Sequence, residues 1–273
     1  MNLIKTVAIS VLAISGSAHV YAQVADDNWR VLDPENTLLI ESSKGRMIIE
    51  MRPDIAPKAV ERVKLLAREK TYDGLQFHRV IPNFVAQTGN PNNKDGGKTS
   101  HPNLAPEMMF KLKLNQGETI VQRSSDAASG FLGSVPFQSL PMTDTLKKNN
   151  ASIRAWGAHC PGVAGMGRDE ARDSANSEMY FMLDSTRRLD RDYTVFGRIV
   201  LGMDVLKNLN IGEPPAQADI MKRVRVLADV PNAERPKISV MSGMTLASLI
   251  TKVRQEKGAD FSVCDISIPT RME

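Results

Sequence analysis

Tyr72-Asp73-Gly74-Leu75-Gln76-Phe77-His78-Arg79-Val80-Ile81-Pro82-Asn83-Phe84-Val85-Ala86-Gln87-Thr88-Gly89 decides how this chain folds. Tyr72-Asp73-Gly74 ends whatever precedes it. Phe77 to Ile81 and Phe84 to Gln87 are rich in aromatic and β-branched residues, and Pro82-Asn83 between them carries turn chemistry, so two short strands are predicted. In the second strand Val85 and Gln87 share a face by two-residue alternation. An apolar contact and an amide therefore sit side by side, with the guanidinium of Arg79 one strand away.

Working outward toward the N-terminus, Pro57 suits a first helical turn, and Val60, Val63, Leu66 and Ala67 recur at helical spacing up to Arg68. Before that helix, Thr37 to Glu41 and Arg46 to Met51 flank the turn residues Ser42-Ser43-Lys44-Gly45, which predicts a hairpin with Met47, Ile49 and Met51 on one face. Residues 23–36 read as a flexible polar leader. Lys5, the apolar run Val7 to Ile14 and Val20-Tyr21-Ala22 form a secretory signal with cleavage expected after Ala22.

Toward the C-terminus the pattern weakens from about 111 to 158, a Ser-, Asn-, Lys- and Gly-rich segment with short apolar pieces such as Thr119-Ile120-Val121. Such long connections are usually functional loops or disordered. Strand character returns at Met179 to Leu183 and Thr194 to Val200, followed by a short helix around Met203 to Leu209 and a strand at Val224 to Leu227. After Pro231, the stripe Leu246, Leu249, Ile250, Val253 predicts a helix over Thr245 to Arg254.

The expected organisation is a signal peptide (1–22), the leader (23–36), a main domain (37–228) with an insertion at about 111–158, and a C-terminal extension (229–273). Without residues 1–22 the 35 basic residues become 34 against 31 acidic ones, a formal charge of +3. The basic residues are scattered and not interleaved with aromatics, which argues against nucleic-acid binding. No later segment reaches the roughly 20 apolar residues of a membrane span, so the mature chain is not expected to insert. Cys160 and Cys264 are the two cysteines. Export would permit a disulfide between them, and two independent thiols fit the sequence equally.

The stretch 72–89 resembles the signature of cyclophilin-type peptidyl-prolyl cis-trans isomerases. Three further blocks resemble the same family in the same order: Lys94-Asp95-Gly96-Gly97-Lys98, Pro161-Gly162-Val163-Ala164-Gly165-Met166-Gly167, and Leu189-Asp190-Arg191-Asp192-Tyr193-Thr194-Val195-Phe196-Gly197-Arg198. The resemblance covers roughly 37–110 and 159–228. It implies a mainly β fold, a closed eight-stranded antiparallel barrel capped by two helices, with a substrate groove on the outside. By motif position it implies Arg79 as the catalytic residue and Phe84, Val85, Gln87, Gly167, Arg168, Glu178, Tyr180, Leu189 and Tyr193 as substrate-binding residues. No cofactor and no metal are implied. The implied partners are proline-containing protein clients, folded or unfolded, and export points to a periplasmic setting.

Three groove positions depart from the family's usual residues. Arg168 and Glu178 stand where neutral amides are usual, and Tyr193 stands where histidine is common. The opposite charges of Arg168 and Glu178 suggest an ion pair across the groove, with two independent surface charges as the alternative. Arg188 occupies the position nearest the tryptophan associated with cyclosporin binding, so weak inhibition is expected. The changes also keep open a second function, a cyclophilin-fold binding protein or chaperone with weak or no isomerase activity.

Gly97-Lys98-Thr99 lacks the first glycine and the strand-to-helix setting of a phosphate loop. The glycines at 162, 165 and 167 lack dinucleotide spacing. His159 beside Cys160 has no second ligand pair at metal-finger spacing and is read as structural.

Overall fold

In the computed structural model, which describes residues 28–113, 117–123, 127–141 and 152–273, the expected signal peptide, the first five leader residues and parts of the insertion lie outside the described residues. The remaining leader residues are not a loose tether. Trp29–Val31 forms strand β1, and Pro34–Asn36 forms a 3-10 turn in which Asp33 Oδ1 accepts from Glu35 N at 3.0 Å. The predicted hairpin follows as β2 (Thr37–Ser42) and β3 (Arg46–Met51), with Leu39 opposite Ile48 and Leu38 opposite Ile49.

Helix α1 (Pro57–Arg68) begins on Pro57, as its spacing requires, but Ala56 offers no side-chain cap. The carboxylate of Glu107 supplies it, accepting from Lys58 N at 3.1 Å and Ala59 N at 2.9 Å, where the helix end favours a negative charge. Val60, Val63, Leu66 and Ala67 are buried. The decisive stretch then yields β4 (Arg79–Ile81) and β5 (Val85–Thr88) around a turn whose Asn83 has φ 57°.

The segment expected to be loop is a second sheet. Its strands are β6 (Phe110–Lys113), β7 (Glu118–Arg123), β8 (Ala128–Leu132), β9 (Val135–Ser139) and β10 (Ser152–Gly157), in the order β6-β10-β9-β8-β7. Polar residues occupy many strand positions, which hid the alternation. The two-residue turn Gly133-Ser134, with Gly133 at φ 56°, joins β8 to β9 and buries Phe131 and Phe137.

The chain then returns through β11 (Val163–Met166), β12 (Met179–Met182), β13 (Val195–Leu201), the short helix α2 (Met203–Lys207) and β14 (Met221–Val226). Eight strands form one antiparallel sheet in the order β14-β2-β3-β13-β11-β12-β5-β4. The closed barrel expected from the resemblance is corrected to a sheet whose ladder stays open between β14 and β4. The chain before β4 turns at Gly74 (φ 81°) and, in place of a continuous ladder, meets the β14 side through Gly74 N to Met221 O (2.7 Å), Met221 N to Leu75 O (2.8 Å), Phe77 N to Asp219 O (2.8 Å), the Asp73 carboxylate accepting from Val224 N (2.8 Å), and one isolated bridge at Gln76 and Ile220.

The C-terminal residues add β15 (Ile238–Met241), α3 (Gly243–Lys257) and β16 (Thr270–Met272), and β1-β15-β16 form a third sheet. This sheet explains why β2 and β3 are buried on both faces. Leu38, Ile40, Met47, Ile49 and Met51 enter the main core, whereas Leu39 and Ile48 pack with Leu32, Leu227, Val230, Ile238 and Val240. Each such side chain contributes about 1.5–3 kcal/mol on burial.

Three fastenings hold the additions to the large sheet. Buried Glu50 accepts from Ser134 N at 2.9 Å and pairs with Arg30 at 2.9 Å. Arg198, buried on β13, donates to Ser134 O (3.2 Å), Pro161 O (3.2 Å) and Ile266 O (3.1 Å). Burial pushes its pKa down to about 10, so it still carries its charge at neutral pH. A disulfide joins Cys160 to Cys264, their Cα atoms 4.9 Å apart.

Candidate active site

The sheet register lines up one row of side chains. Arg79 on β4 is opposite Gln87 on β5, Gln87 is opposite Tyr180 on β12, and Tyr180 is opposite Gly165 on β11. Directly opposed residues of antiparallel strands share a face. A glycine is required at 165, since a Cβ there would lie 2.2 Å from Tyr180 Oη. Val85, two residues before Gln87 and opposite Met182, is buried on the same face. Phe84 sits at the mouth of the row, its ring centroid 5.9 Å from Arg79 Cζ and 5.3 Å from Arg188 Cζ.

Arg79 is partly exposed and held on two sides. Its Nε donates to Glu213 Oε2 at 3.1 Å, and its Nη1 donates to Gln87 Oε1. Among the described residues Nη2 has no protein acceptor. Gln87 turns its amide nitrogen the other way, donating to Glu178 Oε1 at 2.7 Å. Its second N–H has no protein acceptor among the described residues.

Glu178 is buried just ahead of β12. Gly167 leaves room for it, since a Cβ at 167 would lie 2.4 Å from Glu178 Oε1. Asn90 Nδ2 donates to Glu178 Oε2 at 3.3 Å, and His78 Nε2 lies 3.6 Å from the same oxygen. Burial pushes the Glu178 carboxyl above its usual value of 4.5, and the bond from Gln87 and the imidazole of His78 offset only part of that.

The ion pair expected between Arg168 and Glu178 is absent. Arg168 instead binds Asp192 Oδ2 at 3.1 Å, the carbonyls of Asp169 (2.8 Å) and Glu170 (3.0 Å), and the face of Tyr193 at 4.3 Å. Glu178 is already committed to the neutral amides of Gln87 and Asn90. Arg168 and Tyr193 thus form one unit, and Tyr193 meets Tyr180 edge-on at 5.9 Å. Leu189, closing the 3-10 turn Arg187–Leu189, packs on the same core as Phe84 and Tyr193.

Tyr180 is anchored by His159, the histidine read from the sequence as structural, and by Asp190. Its hydroxyl lies 2.7 Å from Nε2 of fully buried His159, whose Nδ1 lies 2.9 Å from Asp190 Oδ1. Burial alone would raise the Asp190 pKa, but bonds from the ring and the backbone N–H of His159, with the charge of Arg187, hold it below the usual carboxylate range. A buried tyrosine hydroxyl needs a partner, and supplying it is the structural role of His159. We expect Tyr180→Phe, which strips His159 Nε2 of its partner, to destabilise the protein by about 1–3 kcal/mol. A urea midpoint equal to wild type would contradict this.

Among the described residues, His78 Nε2, Asp95 Oδ1 and a Glu178 oxygen lie within 4.8 Å of one another. A metal-bound imidazole normally donates its second ring N–H, yet His78 Nδ1 is buried without a partner. The cluster therefore reads as a hydrogen-bonded extension of the Gln87–Glu178 contact, with His78 Nε2 2.9 Å from Asp95 Oδ1.

Comparison with known proteins agrees with this geometry. The family described as "Cyclophilin type peptidyl-prolyl cis-trans isomerase/CLD" matches residues 37–228. A probable peptidyl-prolyl cis-trans isomerase of Brucella suis is 34% identical over 180 residues, covering 66% of this chain and 74% of that protein. The peptidyl-prolyl cis-trans isomerase ppi1 of Schizosaccharomyces pombe is 28% identical over 173 residues, 63% of this chain and 83% of its own length. Among solved structures, cyclophilin AquaCyp293 from Hirschia baltica superposes with a TM-score of 0.82 at 30% identity, over 90% of this chain and 94% of that one.

Proposed function

Because the chain belongs to the cyclophilin-type peptidyl-prolyl cis-trans isomerases and is an enzyme of that class, we propose that Arg79 catalyses the rotation in a groove lined by Phe84, Val85, Tyr180 and Leu189. Rotation about an amide must break resonance, a barrier of about 18–20 kcal/mol, while the two isomers of an Xaa-Pro bond differ by only about 1 kcal/mol. Neither a nucleophile nor a metal is required. As resonance is lost the proline nitrogen gains a lone pair, and a fixed cation donating to it lowers the twisted state relative to both planar ones.

The observation that carries this reading is the unpartnered Nη2 of Arg79 beside the Phe84 ring, with the guanidinium already oriented by Glu213 and Gln87. Val85, Tyr180 and Leu189 would receive the proline ring and exclude water. The remaining N–H of Gln87 would hold a substrate carbonyl.

The clients in this reading are proline-containing segments of exported proteins, and the activity assists their folding in the periplasm. The amino-terminal pattern ending at Ala22 supports export, and the disulfide suits an oxidising compartment. The proposed working unit is the 37–228 domain with its inserted sheet and its C-terminal extension. A peptide isomerisation assay tests the catalytic reading. Turnover of short Xaa-Pro peptides is expected, and tight binding of proline peptides without turnover would favour the binding-protein alternative.

A further inference from the structure

We propose that Glu178 is a positioning residue whose ionised carboxylate fixes the amide orientation of Gln87, and through it the guanidinium of Arg79. This rests on the proposed role of Arg79 and adds to it. Gln87 is a two-ended amide, and only one of its ends can face Arg79. Guanidinium donates and never accepts, so a productive contact needs the Gln87 carbonyl on that side. An ionised carboxylate accepts and never donates, so at position 178 it claims the nitrogen end of Gln87. The two demands agree, and the observed bonds follow them: Gln87 Nε2 to Glu178 Oε1 at 2.7 Å, and Arg79 Nη1 to Gln87 Oε1.

A neutral amide at 178 would accept either orientation of Gln87, whereas a carboxylate permits one. Protonation removes the distinction. A carboxylic acid presents an O–H that can donate to Gln87 Oε1, which lets the amide turn and sets its NH2 against the guanidinium. Arg79 then loses the acceptor that orients its free edge.

The surroundings make this carboxylate sensitive to pH in the required direction. Glu178 is 8% exposed and, among the described residues, pairs with no lysine or arginine, only with His78, Gln87 and Asn90. The groups facing it are His78 ahead of β4, Asp95 beyond His78, Asn90 after β5, and Arg79 through Gln87. The nearby cations are occupied elsewhere, Arg168 by Asp192 and Lys98 by Asp169, while Glu213 lies on the far side of Arg79. Burial and the like charge of Asp95 raise the Glu178 pKa. The ionised, orienting form is therefore lost nearer to neutrality than for a solvated glutamate.

The test measures cis/trans exchange of an uncharged proline peptide by NMR, which needs no coupling protease, from pH 8 to 4. Wild type, Glu178→Gln and Glu178→Ala are compared, with circular dichroism at each pH. Wild-type kcat/KM is expected to fall toward acid, with an apparent pKa above 4.5, to the lower level that Glu178→Gln shows at every pH. Glu178→Gln should lose that limb, and Glu178→Ala should lower kcat more than KM. In parallel, the side-chain amide signal of Gln87 should shift with the same apparent pKa in wild type and stay still in Glu178→Gln. A wild-type profile that is flat while the fold persists would overturn the proposal, as would an acid limb shared by Glu178→Gln or a Gln87 signal that does not titrate. Absence of turnover at every pH with a titrating Gln87 signal would instead sink the isomerase reading and, with it, only the catalytic half of this inference.

Discussion

Replacing Arg79 with alanine should reduce kcat/KM for short Xaa-Pro peptides by about 10- to 100-fold while leaving the fold nearly as stable as before. A charge-assisted hydrogen bond is worth about 1.5–3 kcal/mol, and each 1.36 kcal/mol is a factor of ten in rate. The ground state makes little use of the bond, because the planar imide nitrogen offers no lone pair, so the loss should fall on kcat. Stability should change little, since the ion partner Glu213 is 53% exposed at its side chain and such pairs contribute about 0–1 kcal/mol. Arg79→Lys should rescue only part of the rate, because an ammonium cannot engage Glu213, Gln87 and the reacting nitrogen with one rigid plane of donors. A loss below about threefold in a folded Arg79→Ala protein would remove Arg79 from the mechanism.

The second large effect concerns stability. Cys160 and Cys264 are separated by 104 residues, and closing a loop of that size restricts the unfolded chain by an amount worth up to about 4.7 kcal/mol. The double substitution Cys160→Ser with Cys264→Ser is expected to lower the unfolding free energy by about 2–5 kcal/mol. The loss should appear in urea titrations as a lower midpoint, and reductant should reproduce it in wild type but not in the variant. The adjacent residue adds a functional consequence. His159 holds the Tyr180 hydroxyl at 2.7 Å, so loosening residue 160 also loosens the wall of the groove. Unchanged midpoints in both experiments would show that the link contributes nothing to the fold.

What was readable in the chain was what local chemistry writes. Pro57 and the spacing of Val60, Val63 and Leu66 located α1, and the turn Ser42-Ser43-Lys44-Gly45 located the β2–β3 hairpin. The stretch from Tyr72 to Gly89 located β4, β5 and the row on which Arg79 and Gln87 stand. What was not readable depends on distant partners. β1 has three residues and pairs with Ser239–Met241, more than two hundred positions away. β6 pairs with β10 across the whole insertion, Phe110 opposite Ala155. β11 was masked by its glycine, which is there because Tyr180 lies across it. In the site, the contact of Arg79 with Glu213 spans 134 positions and that of Gln87 with Glu178 spans 91. Opposite charge suggested Arg168 as the partner of Glu178, but which amides a buried carboxylate reaches is set by register and not by sign.

The three carbonyls gathered by Arg198 come from three separate lengths of chain: the inserted sheet at Ser134, the groove block at Pro161 and the tail at Ile266. One cation thus serves as a common knot for parts that sequence alone would treat as separable accessories. Freeing any one of them leaves a donor of a largely buried guanidinium without its partner, which penalises partial opening. Removing either accessory would therefore take away one acceptor from the same guanidinium that holds the other.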